Sequence, residues 1–293
     1  MSYTETLTPE LLERVLLKLG FVEHPEPTME GLQKLYAAWC RMVPFDNIRK
    51  LVHMQAQDAS PLPGDEATDF FEAWLAYGTG GTCWAGNGAL HALLVSLGFQ
   101  ATRGLCTMLI APDIPPNHGS VVVTHDDTPY VVDASMLHSE PLRLDPSTPT
   151  AIVHPAWGVQ CERRGAQWFI RWRALFGADG LDCRIEDLAV TRDTFRERHE
   201  DTRVWSPFNY ELHIRLICGE TILGAALGQR VELDSRGAFV QTRLEGDERQ
   251  RLLIDELGIH EEIVQRLPPD QPTPPPPWSR TAQNMALGNP ESA

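Results

Sequence analysis

Hydrophobic residues recur every three or four positions through most of the first hundred residues, the spacing that places them on one face of an α-helix. Thr8 as N-cap and Pro9 at the first helical position begin the first of these helices, and Gly20 ends it. Its apolar face consists of Leu12, Val15, Leu16 and Leu19. Further helices are predicted from residue 28 onward and over about residues 69–77 and 84–97. We therefore expect residues 1–100 to form a helical domain.

The pattern changes near residue 101, where short runs rich in β-branched residues replace the helical spacing. The runs LCTMLI, SVVV, PYVVDA and QWFIRWR are separated by turn signals, so residues 101–203 are predicted to form an antiparallel β domain that ends with a helix near TRDTFRERHEDT. Residues 204–267 combine strands with a helix at GDERQRLLIDELG, which predicts an α/β unit. The proline-rich residues 268–293 predict an extended or disordered tail, which is either passive, the favoured interpretation, or a ligand of a proline-reading module. The expected fold class is α+β.

The balance of charge narrows the range of partners. The 40 acidic residues exceed the 25 basic ones and give a formal net charge of −15. No basic run is long enough to follow a phosphate backbone, so nucleic acid and anionic membrane surfaces are not expected as partners. The longest apolar stretch, around residues 89–99, is too short to cross a bilayer, and the N-terminal sequence does not resemble a signal peptide. Six dispersed cysteines without a C-x-x-C pair indicate reduced thiols, so we expect a cytoplasmic protein.

One cysteine has an unusual context. The segment GTGGTCWAGNGAL, residues 78–90, places Cys83 between a glycine-rich turn and the start of an apolar helix. Glycines permit a close approach to the thiol, and the helix directs unpaired N–H groups and the positive end of its dipole toward it, which favours the thiolate. Two interpretations follow from this stretch alone: a buried cysteine after a turn, or a nucleophile.

A nucleophilic thiol needs a base, usually a histidine oriented by a carboxylate. Candidate histidines are His91, His118, His125, His138 and His154. The segment HGSVVVTHDDTPYVVDAS predicts two strands joined by a turn centred between residues 125 and 126, which places His118 directly opposite Asp133 on one face. Directly opposed residues have Cβ atoms roughly 5 Å apart. At this distance a carboxylate can accept a hydrogen bond from an imidazole N–H and fix its tautomer. A metal site built from Cys83, His118 and Asp133 is the weaker functional alternative, because no local pair of ligands supplies the usual spacing.

The same residues carry a resemblance to the arylamine N-acetyltransferase family. The chain is similar to that family at VPFDNI (residues 43–48), at TGGTC (79–83), at a helix ending in LGF (97–99) and at PLRL (141–144), and in a histidine 35 residues after the cysteine with an aspartate 15 residues further on. The resemblance implies an N-terminal helical bundle, a β-barrel-like antiparallel middle domain and a C-terminal α/β lid around a cysteine-protease-like core. It also implies a Cys-His-Asp triad, which the hairpin argument reaches separately.

The activity that the resemblance implies is ping-pong acyl transfer. Cys83 takes an acyl group from a thioester donor, His118 manages protons, Asp133 orients His118, and a small-molecule amine then removes the acyl group. The implied co-substrate is an acyl thioester of CoA or of a carrier protein, with no bound cofactor and no metal. The substrate-binding residues implied are Phe45, Thr82, Trp84, Ser135, Met136 and Leu137.

Two departures from the family pattern stand out. Thr79 replaces the arginine of the family's RGG-x-C motif, so the acidic Asp46 lacks its expected ion-pair partner unless Arg41 or Arg103 substitutes. After Asp133 the chain reads ASML where the family commonly has V-G-F-G, and bulk at Met136 and Leu137 is expected to change which donor or acceptor enters. The sequence is therefore compatible with an amide synthase of a natural-product pathway that takes a carrier-bound acyl chain.

Two further classes of function remain open. A papain-like cysteine hydrolase also places its thiol at a helix N-terminus, although its histidine lies much further along the chain than 35 residues. A catalytically silent binding protein would have kept the fold with a Cys83 no more reactive than a free thiol. The sequence predicts neither the acyl group, nor the acceptor, nor the oligomeric state.

Overall fold

The N-terminal region is helical where the apolar spacing predicts helices. A computed structural model describes residues 6–111, 114–177, 179–279 and 282. Its first elements are α1 (Pro9–Lys18), α2 (Met29–Met42), the short strand β1 (Phe45–Asp46), α3 (Ile48–Gln55), α4 (Ala67–Tyr77) and α5 (Cys83–Ser96). The hydroxyl of Thr8 accepts a hydrogen bond from the Leu11 N–H at 3.3 Å, which confirms the predicted N-cap. The sequence did not predict α3, because the polar residues Lys50 and His53 occupy two of its buried positions and interrupt the apolar spacing.

The middle of the chain forms an antiparallel sheet of eight strands. They are β2 (Ala101–Met108), β3 (His118–His125), β4 (Thr128–Val132), β5 (Leu142–Arg143), β6 (Thr150–Ile152), β7 (Val159–Arg164), β8 (Gln167–Arg173) and β9 (Gly180–Val190). Their order in the sheet is β5-β4-β3-β2-β9-β8-β7-β6. The edge strands β5 and β6 lie close together, so the sheet is a nearly closed barrel around an apolar interior.

The last third of the chain adds a second antiparallel sheet. After α6 (Arg192–Asp201) and a 3₁₀ turn (Pro207–Asn209) come β10 (Ile214–Cys218), β11 (Thr221–Ala226), β12 (Gln229–Leu233) and β13 (Phe239–Arg243). The predicted helix over residues 246–258 forms α7 (Asp247–Arg251) and continues as a π-helical turn (Leu252–Glu256), before α8 (Glu261–Val264). The order of this sheet is β1-β10-β11-β12-β13, so β1, which directly precedes α3 in the chain, is an edge strand. The division of the chain into domains at residues 100, 203 and 267 stays a prediction.

The main hydrophobic core lies between the helices and one face of the barrel. Aromatic residues of α2 and α4 fill it, with Trp39 stacked on Phe70 and in edge contact with Phe71, ring centroids 6.0 Å apart in each pair. Val121 of β3 and Val132 of β4 pack into the same core. This packing fixes α5, and with it Cys83, against the start of β3.

Part of the proline-rich segment is held against the protein. The Gln271 N–H donates to the Tyr210 carbonyl at 2.9 Å, and the Trp205 indole donates to the Pro274 carbonyl at 3.0 Å. Trp205 also meets Trp278 edge to face, with ring centroids 5.3 Å apart. Residues 268–276 therefore follow the segment after α6 without forming a helix or a strand, and residues 277–279 form a turn. The rest of the predicted tail, apart from residue 282, lies outside the described residues. None of the helices in the described ranges combines the length and the apolar composition that a membrane span requires.

Candidate active site

Cys83 is the first residue of α5 and its side chain is buried. Thr82 is the N-cap, and the thiol donates to the carbonyl of Asn117 at 3.9 Å. The glycines before it have a steric purpose, because a Cβ on Gly80 would lie 1.8 Å from the Pro44 carbonyl oxygen. Position 80 therefore requires glycine, because any side chain there would collide with the backbone at Pro44.

His118 and Asp133 form a buried pair beside the thiol. Nε2 of His118 lies 2.8 Å from Oδ2 of Asp133, and the two side chains are 3% and 0% exposed. Both Asp133 oxygens are occupied, since Oδ1 accepts from the N–H groups of Ser135 at 2.8 Å and Met136 at 2.9 Å. The carboxylate is thus fixed in one orientation, and it fixes the imidazole ring in turn.

The register that the sequence predicted for this pair is wrong, although the contact forms. The turn is centred on Asp126 and Asp127, which both have positive φ (46° and 57°), and the ladder pairs Val121 with Val132. A two-residue turn of this kind matches the twist of the strands better than the predicted one. His118 is therefore not paired directly opposite Asp133. Asp133 comes just after the last residue of β4, and its carboxylate contacts the His118 ring diagonally across the two strands.

The protonation of the pair follows from its surroundings. Burial alone would lower the pKa of His118, but the Asp133 carboxylate and the Cys83 side chain outweigh it and raise the pKa well above its ordinary value. Burial likewise opposes ionisation of Asp133, yet the imidazolium and two backbone N–H groups hold the pKa of that carboxyl well below its usual range. The site therefore holds a charged imidazolium and an ionised carboxylate at neutral pH.

Asn87 joins the elements that carry all three residues, and the sequence reasoning missed it. Its fully buried side chain donates to the carbonyl of Cys83 at 3.0 Å and to that of Gly119, next to His118, at 2.7 Å. Its Oδ1 accepts from the N–H of Ala134, next to Asp133, at 2.9 Å. A polar residue one helical turn after Cys83, within an otherwise apolar helix, was the available signal.

Aromatic side chains surround the thiol. Cys83, Trp84 and Phe195 form one buried cluster, and Phe45 packs against it. Trp84 meets Phe195 with ring centroids 5.2 Å apart, and Phe45 meets Phe208 at 5.4 Å. Of the predicted substrate-binding residues, the structure thus brings Phe45 and Trp84 to the thiol, with Thr82 adjacent in the chain.

The other three predicted substrate-binding residues lie in the interior. Met136 belongs to the apolar barrel interior and Leu137 to the main core, with exposures of 1% and 0%. Leu137 has a positive φ of 52°, and the Ser135 hydroxyl is buried. Their bulk fills hydrophobic cores, and this placement argues against direct contact with a substrate.

The partner expected for Asp46 is also different in the structure. Asp46 is fully buried, with its oxygens accepting from the N–H groups of Ile48 at 2.9 Å and Gly80 at 2.5 Å. Burial raises its pKa to about 6, and the cation that acts on it is Arg49, the neighbour of Lys50 on α3. The suggestion that Arg41 or Arg103 replaces the family arginine is therefore not supported. The hydroxyl of Thr79 is buried without a hydrogen-bond partner among the described residues.

The side chains of the candidate site are not arranged as ligands of a metal ion. Within residues 6–111, 114–177, 179–279 and 282, no group of three or more His, Cys, Asp or Glu side chains is placed to hold an ion. Asp133 occupies Nε2 of His118, so the ring stands between the carboxylate and the thiol. His91, buried on α5 with Nε2 3.2 Å from the Ala101 carbonyl, is a core histidine as predicted.

The chain is similar to known proteins in sequence and in fold. The N-acetyltransferase family model matches residues 28–173, which include Cys83, His118 and Asp133. The arylamine N-acetyltransferase of Mycolicibacterium smegmatis is 30% identical over 140 residues, 44% of this chain and 49% of that protein. Proansamycin X synthase of Amycolatopsis mediterranei is 25% identical over 207 residues, 65% of this chain and 76% of that protein. The chain thus spans about half the length of the mycobacterial relatives it matches.

Solved structures share the fold. The arylamine N-acetyltransferase of Mycobacterium abscessus superposes with a TM-score of 0.73 at 19% identity, covering 87% of this chain and 93% of that one. The enzyme of Mycobacterium marinum in complex with CoA gives a TM-score of 0.72 at 20% identity, covering 88% and 95%. Family model, relatives and fold all point to the arylamine N-acetyltransferase family.

Proposed function

We propose that this chain transfers an acyl group from a CoA thioester to an amine, by way of an acyl-Cys83 intermediate. The observation that carries the proposal is the connected arrangement of a thiol at a helix N-terminus, an imidazole with a raised pKa, and a buried carboxylate 2.8 Å from that imidazole. This is the arrangement needed for a nucleophile, a proton carrier and an orienting group. We expect it to form a cysteine-protease-like core.

The first half-reaction forms a new thioester and releases CoA. The Cys83 thiolate, whose proton is held by His118 as the imidazolium, attacks the carbonyl carbon of the donor; the bond to the CoA sulfur breaks, and that sulfur takes the proton from the imidazolium. The exchange replaces one thioester by another and is close to balanced in energy. Unpaired backbone N–H groups at the start of α5 would stabilise the negative charge on the carbonyl oxygen.

The second half-reaction releases the product. The amine attacks the acyl-Cys83 carbonyl, neutral His118 takes the proton that the amine loses, and the Cys83 sulfur leaves as the amide forms. Asp133 stabilises the imidazolium throughout by its ionised carboxylate. The CoA donor is supported by the Mycobacterium marinum family member that was solved with CoA.

The test is intact-mass analysis after incubation with a panel of acyl-CoA thioesters. Wild-type protein is expected to gain the mass of the acyl group, and Cys83→Ala is expected to gain none. Cys218→Ala is the matched control, because Cys218 is the most exposed of the other cysteines and would be the first to react non-specifically. Equal labelling of wild type and Cys83→Ala would overturn the proposal.

Addition of an amine separates the remaining classes of function. Acyl transfer predicts that the mass gain disappears when an arylamine is added and that an amide appears. Release of free acid without an amine would instead indicate a cysteine hydrolase. A Cys83 that is labelled neither by any acyl-CoA nor by an acyl carrier protein would indicate a silent binding protein.

An amide synthase with a carrier-bound acyl donor is the second candidate. The observation that favours a synthase over an acetyltransferase is the match to Proansamycin X synthase, which covers 65% of this chain, against 44% for the arylamine N-acetyltransferase of Mycolicibacterium smegmatis. Acylation of Cys83 by an acyl carrier protein, with none by the matching acyl-CoA, would select this candidate.

A further inference from the structure

Tyr36 is a buried tyrosine of α2 that contacts the chain beside the candidate triad. Its side chain is 1% exposed and packs in the main hydrophobic core, so its hydroxyl is a polar group in apolar surroundings. Such a hydroxyl is costly to bury unless it forms hydrogen bonds. Its partners are main-chain groups of the segment that follows β4, beginning with Asp133, 97 residues further along the chain.

The Tyr36 hydroxyl uses its whole hydrogen-bonding capacity on this segment. It donates to the carbonyl of Asp133 at 2.8 Å, and it accepts from the N–H groups of Asp133 at 3.0 Å and of His138 at 3.3 Å. A hydroxyl has one hydrogen to donate and two lone pairs with which to accept. A single oxygen atom of Tyr36 therefore holds both main-chain groups of Asp133.

The position of the Asp133 carboxylate depends on this contact. Its side chain leaves the main chain at Cα, which lies between the N–H and the carbonyl that Tyr36 holds. One carboxylate oxygen accepts from the N–H groups of Ser135 and Met136, and the other lies 2.8 Å from Nε2 of His118. Because an aspartate side chain is short, a shift of its main chain would change the distance between the carboxylate and the imidazole.

The segment after Asp133 has a strained backbone. Leu137 and Ser139 have positive φ values of 52° and 67°, which residues with a side chain adopt only at a cost. A backbone of this kind persists where the surrounding contacts determine it. The hydrogen bonds of Tyr36 to Asp133 and to His138 lie on the two sides of Leu137 in the chain, so they are contacts of this kind.

This contact acts through position and not through charge. Burial raises the pKa of Tyr36 well above its ordinary value, so the phenol stays protonated and neutral. Besides burial, the groups that act on the pKa of His118 are Asp133 and Cys83, and its direct partner on β2 is Cys106. Removal of the Tyr36 hydroxyl changes none of these charges. A change in the pKa of His118 after that removal would therefore report a displaced carboxylate.

We propose that Tyr36 is a positioning residue of the candidate triad: its hydroxyl holds the main chain of Asp133 so that the carboxylate stays in contact with His118. The role rests on the proposed acyl transfer, in which His118 donates and accepts protons beside Cys83. Tyr36 acts through Asp133 and not on the reacting atoms. A residue of the helical core thus sets the geometry at the end of a barrel strand.

The first test measures the pKa of His118 in the protein alone, without an acyl donor. The ring Cε1–H signal is followed by NMR across pH and is assigned by its absence in His118→Gln. Tyr36→Phe keeps the aromatic ring and removes only the hydroxyl. We expect the pKa of His118 to fall by about one unit in Tyr36→Phe, a tenfold change in the balance between the two protonation states. An unchanged pKa would overturn the proposal.

Two further replacements separate position from stability. The Ser96 hydroxyl also accepts from a main-chain N–H, at 2.8 Å, and donates to a main-chain carbonyl, at 2.7 Å, but at the opposite end of α5 from Cys83. Ser96→Ala is therefore expected to leave the pKa of His118 at its wild-type value, and an equal fall in both variants would overturn a specific role for Tyr36. Replacement of Tyr36 with 4-fluorophenylalanine fills nearly the same volume without an O–H to donate, and the same fall in pKa is expected from it if Tyr36→Phe does not fold.

The second test asks whether Tyr36 acts through Asp133. The rate of Cys83 acylation by a saturating acyl-CoA is compared in wild type, Tyr36→Phe, Asp133→Asn and the double variant. We expect Tyr36→Phe to acylate roughly tenfold more slowly than wild type, less than the about 10²-fold that a misplacement of about 1 Å can cost. In the Asp133→Asn background the same substitution is expected to have no further effect, because the carboxylate is absent. Equal slowing in both backgrounds would overturn the proposed route.

The two measurements also distinguish this role from the proposed function. The titration of His118 requires no acyl transfer. A lowered pKa of His118 in Tyr36→Phe, in a protein that no donor acylates, would leave the positioning role standing and remove the proposed function. Normal acylation of Cys83 in Tyr36→Phe, with the pKa of His118 unchanged, would remove the role of Tyr36 and leave the proposed function standing.

Discussion

Removal of the Asn87 side chain tests whether one residue holds the candidate triad together. In Asn87→Ala three hydrogen bonds are lost, to the carbonyls of Cys83 and Gly119 and from the N–H of Ala134. Each buried hydrogen bond contributes about 1 kcal/mol, and a buried donor left without a partner costs about 1–3 kcal/mol. The expected destabilisation is about 3–5 kcal/mol, which lowers the thermal midpoint by roughly 10 °C for a protein of this size.

Asn47 provides a matched control for this loss. It is also buried, donates to the carbonyls of Phe208 at 3.0 Å and Glu211 at 2.7 Å, and accepts from the N–H of His213 at 2.8 Å. Asn47→Ala therefore loses the same number of bonds in the same way, but at the junction of α3 with the C-terminal sheet. Similar thermal midpoints are expected for the two variants.

The rate of Cys83 acylation should separate them. Misplacement of catalytic groups by about 1 Å can cost about 10²-fold in rate, so at a temperature where both variants are folded we expect Asn87→Ala to acylate about 10²-fold more slowly than Asn47→Ala. The measurement is the rate of mass gain with a saturating acyl-CoA. Equal rates in the two variants would show that Asn87 only stabilises the fold and that its link to the triad has no effect on chemistry.

Other predictions follow from the same region. Because the pKa of His118 is raised in the folded protein, its contribution to stability is complete below the unfolded pKa of about 6.5 and is lost as pH rises through the folded pKa. Because the pKa of Asp133 is lowered, its contribution is present above the unfolded pKa of about 4 and is lost as pH falls through the folded pKa. The difference in thermal midpoint between wild type and Asp133→Asn should therefore be largest between about pH 4 and 7; a difference independent of pH would contradict the ionised pair. Gly119→Ala places a Cβ 2.7 Å from the Trp84 ring and should destabilise by about 1–3 kcal/mol, while Gly88→Ala on α5 meets nothing within 4 Å and should stabilise by up to about 1 kcal/mol in thermal unfolding. Equal midpoints for these two variants would show that the space beside Trp84 is adjustable.

The sequence predicted the parts of the site that follow from local patterns. Cys83 at a helix start is a local signal, because a glycine-rich turn and an apolar run determine it together. The contact of His118 with Asp133 was predicted from a hairpin whose register was wrong by two residues, and it survived because a carboxylate after the end of β4 can reach diagonally. The positive φ of Asp126 and Asp127 was the missing information, and two adjacent aspartates indicate it only weakly.

The parts that the sequence did not predict depend on contacts between distant segments. Met136 and Leu137 were expected near the thiol but pack into two separate cores, and only the three-dimensional path of the chain after β4 decides this. Lys50 was not considered at all, because its burial depends on packing between α3 and the segment after α6. The path of residues 268–279 likewise depends on Trp205, which no local pattern connects with the prolines.

The pairing of β1 with β10 has a consequence for synthesis of the protein. Phe45, which packs beside the thiol, lies opposite Arg215 in the C-terminal sheet, whereas the helix and strands that carry Cys83, His118 and Asp133 all precede residue 134. A growing chain on the ribosome can therefore assemble the three reactive groups well before Phe45 obtains its strand partner. Pairings between such distant segments form late, because loop closure must precede them. The three reactive groups are thus expected to assemble before the C-terminal sheet that supports Phe45 is complete.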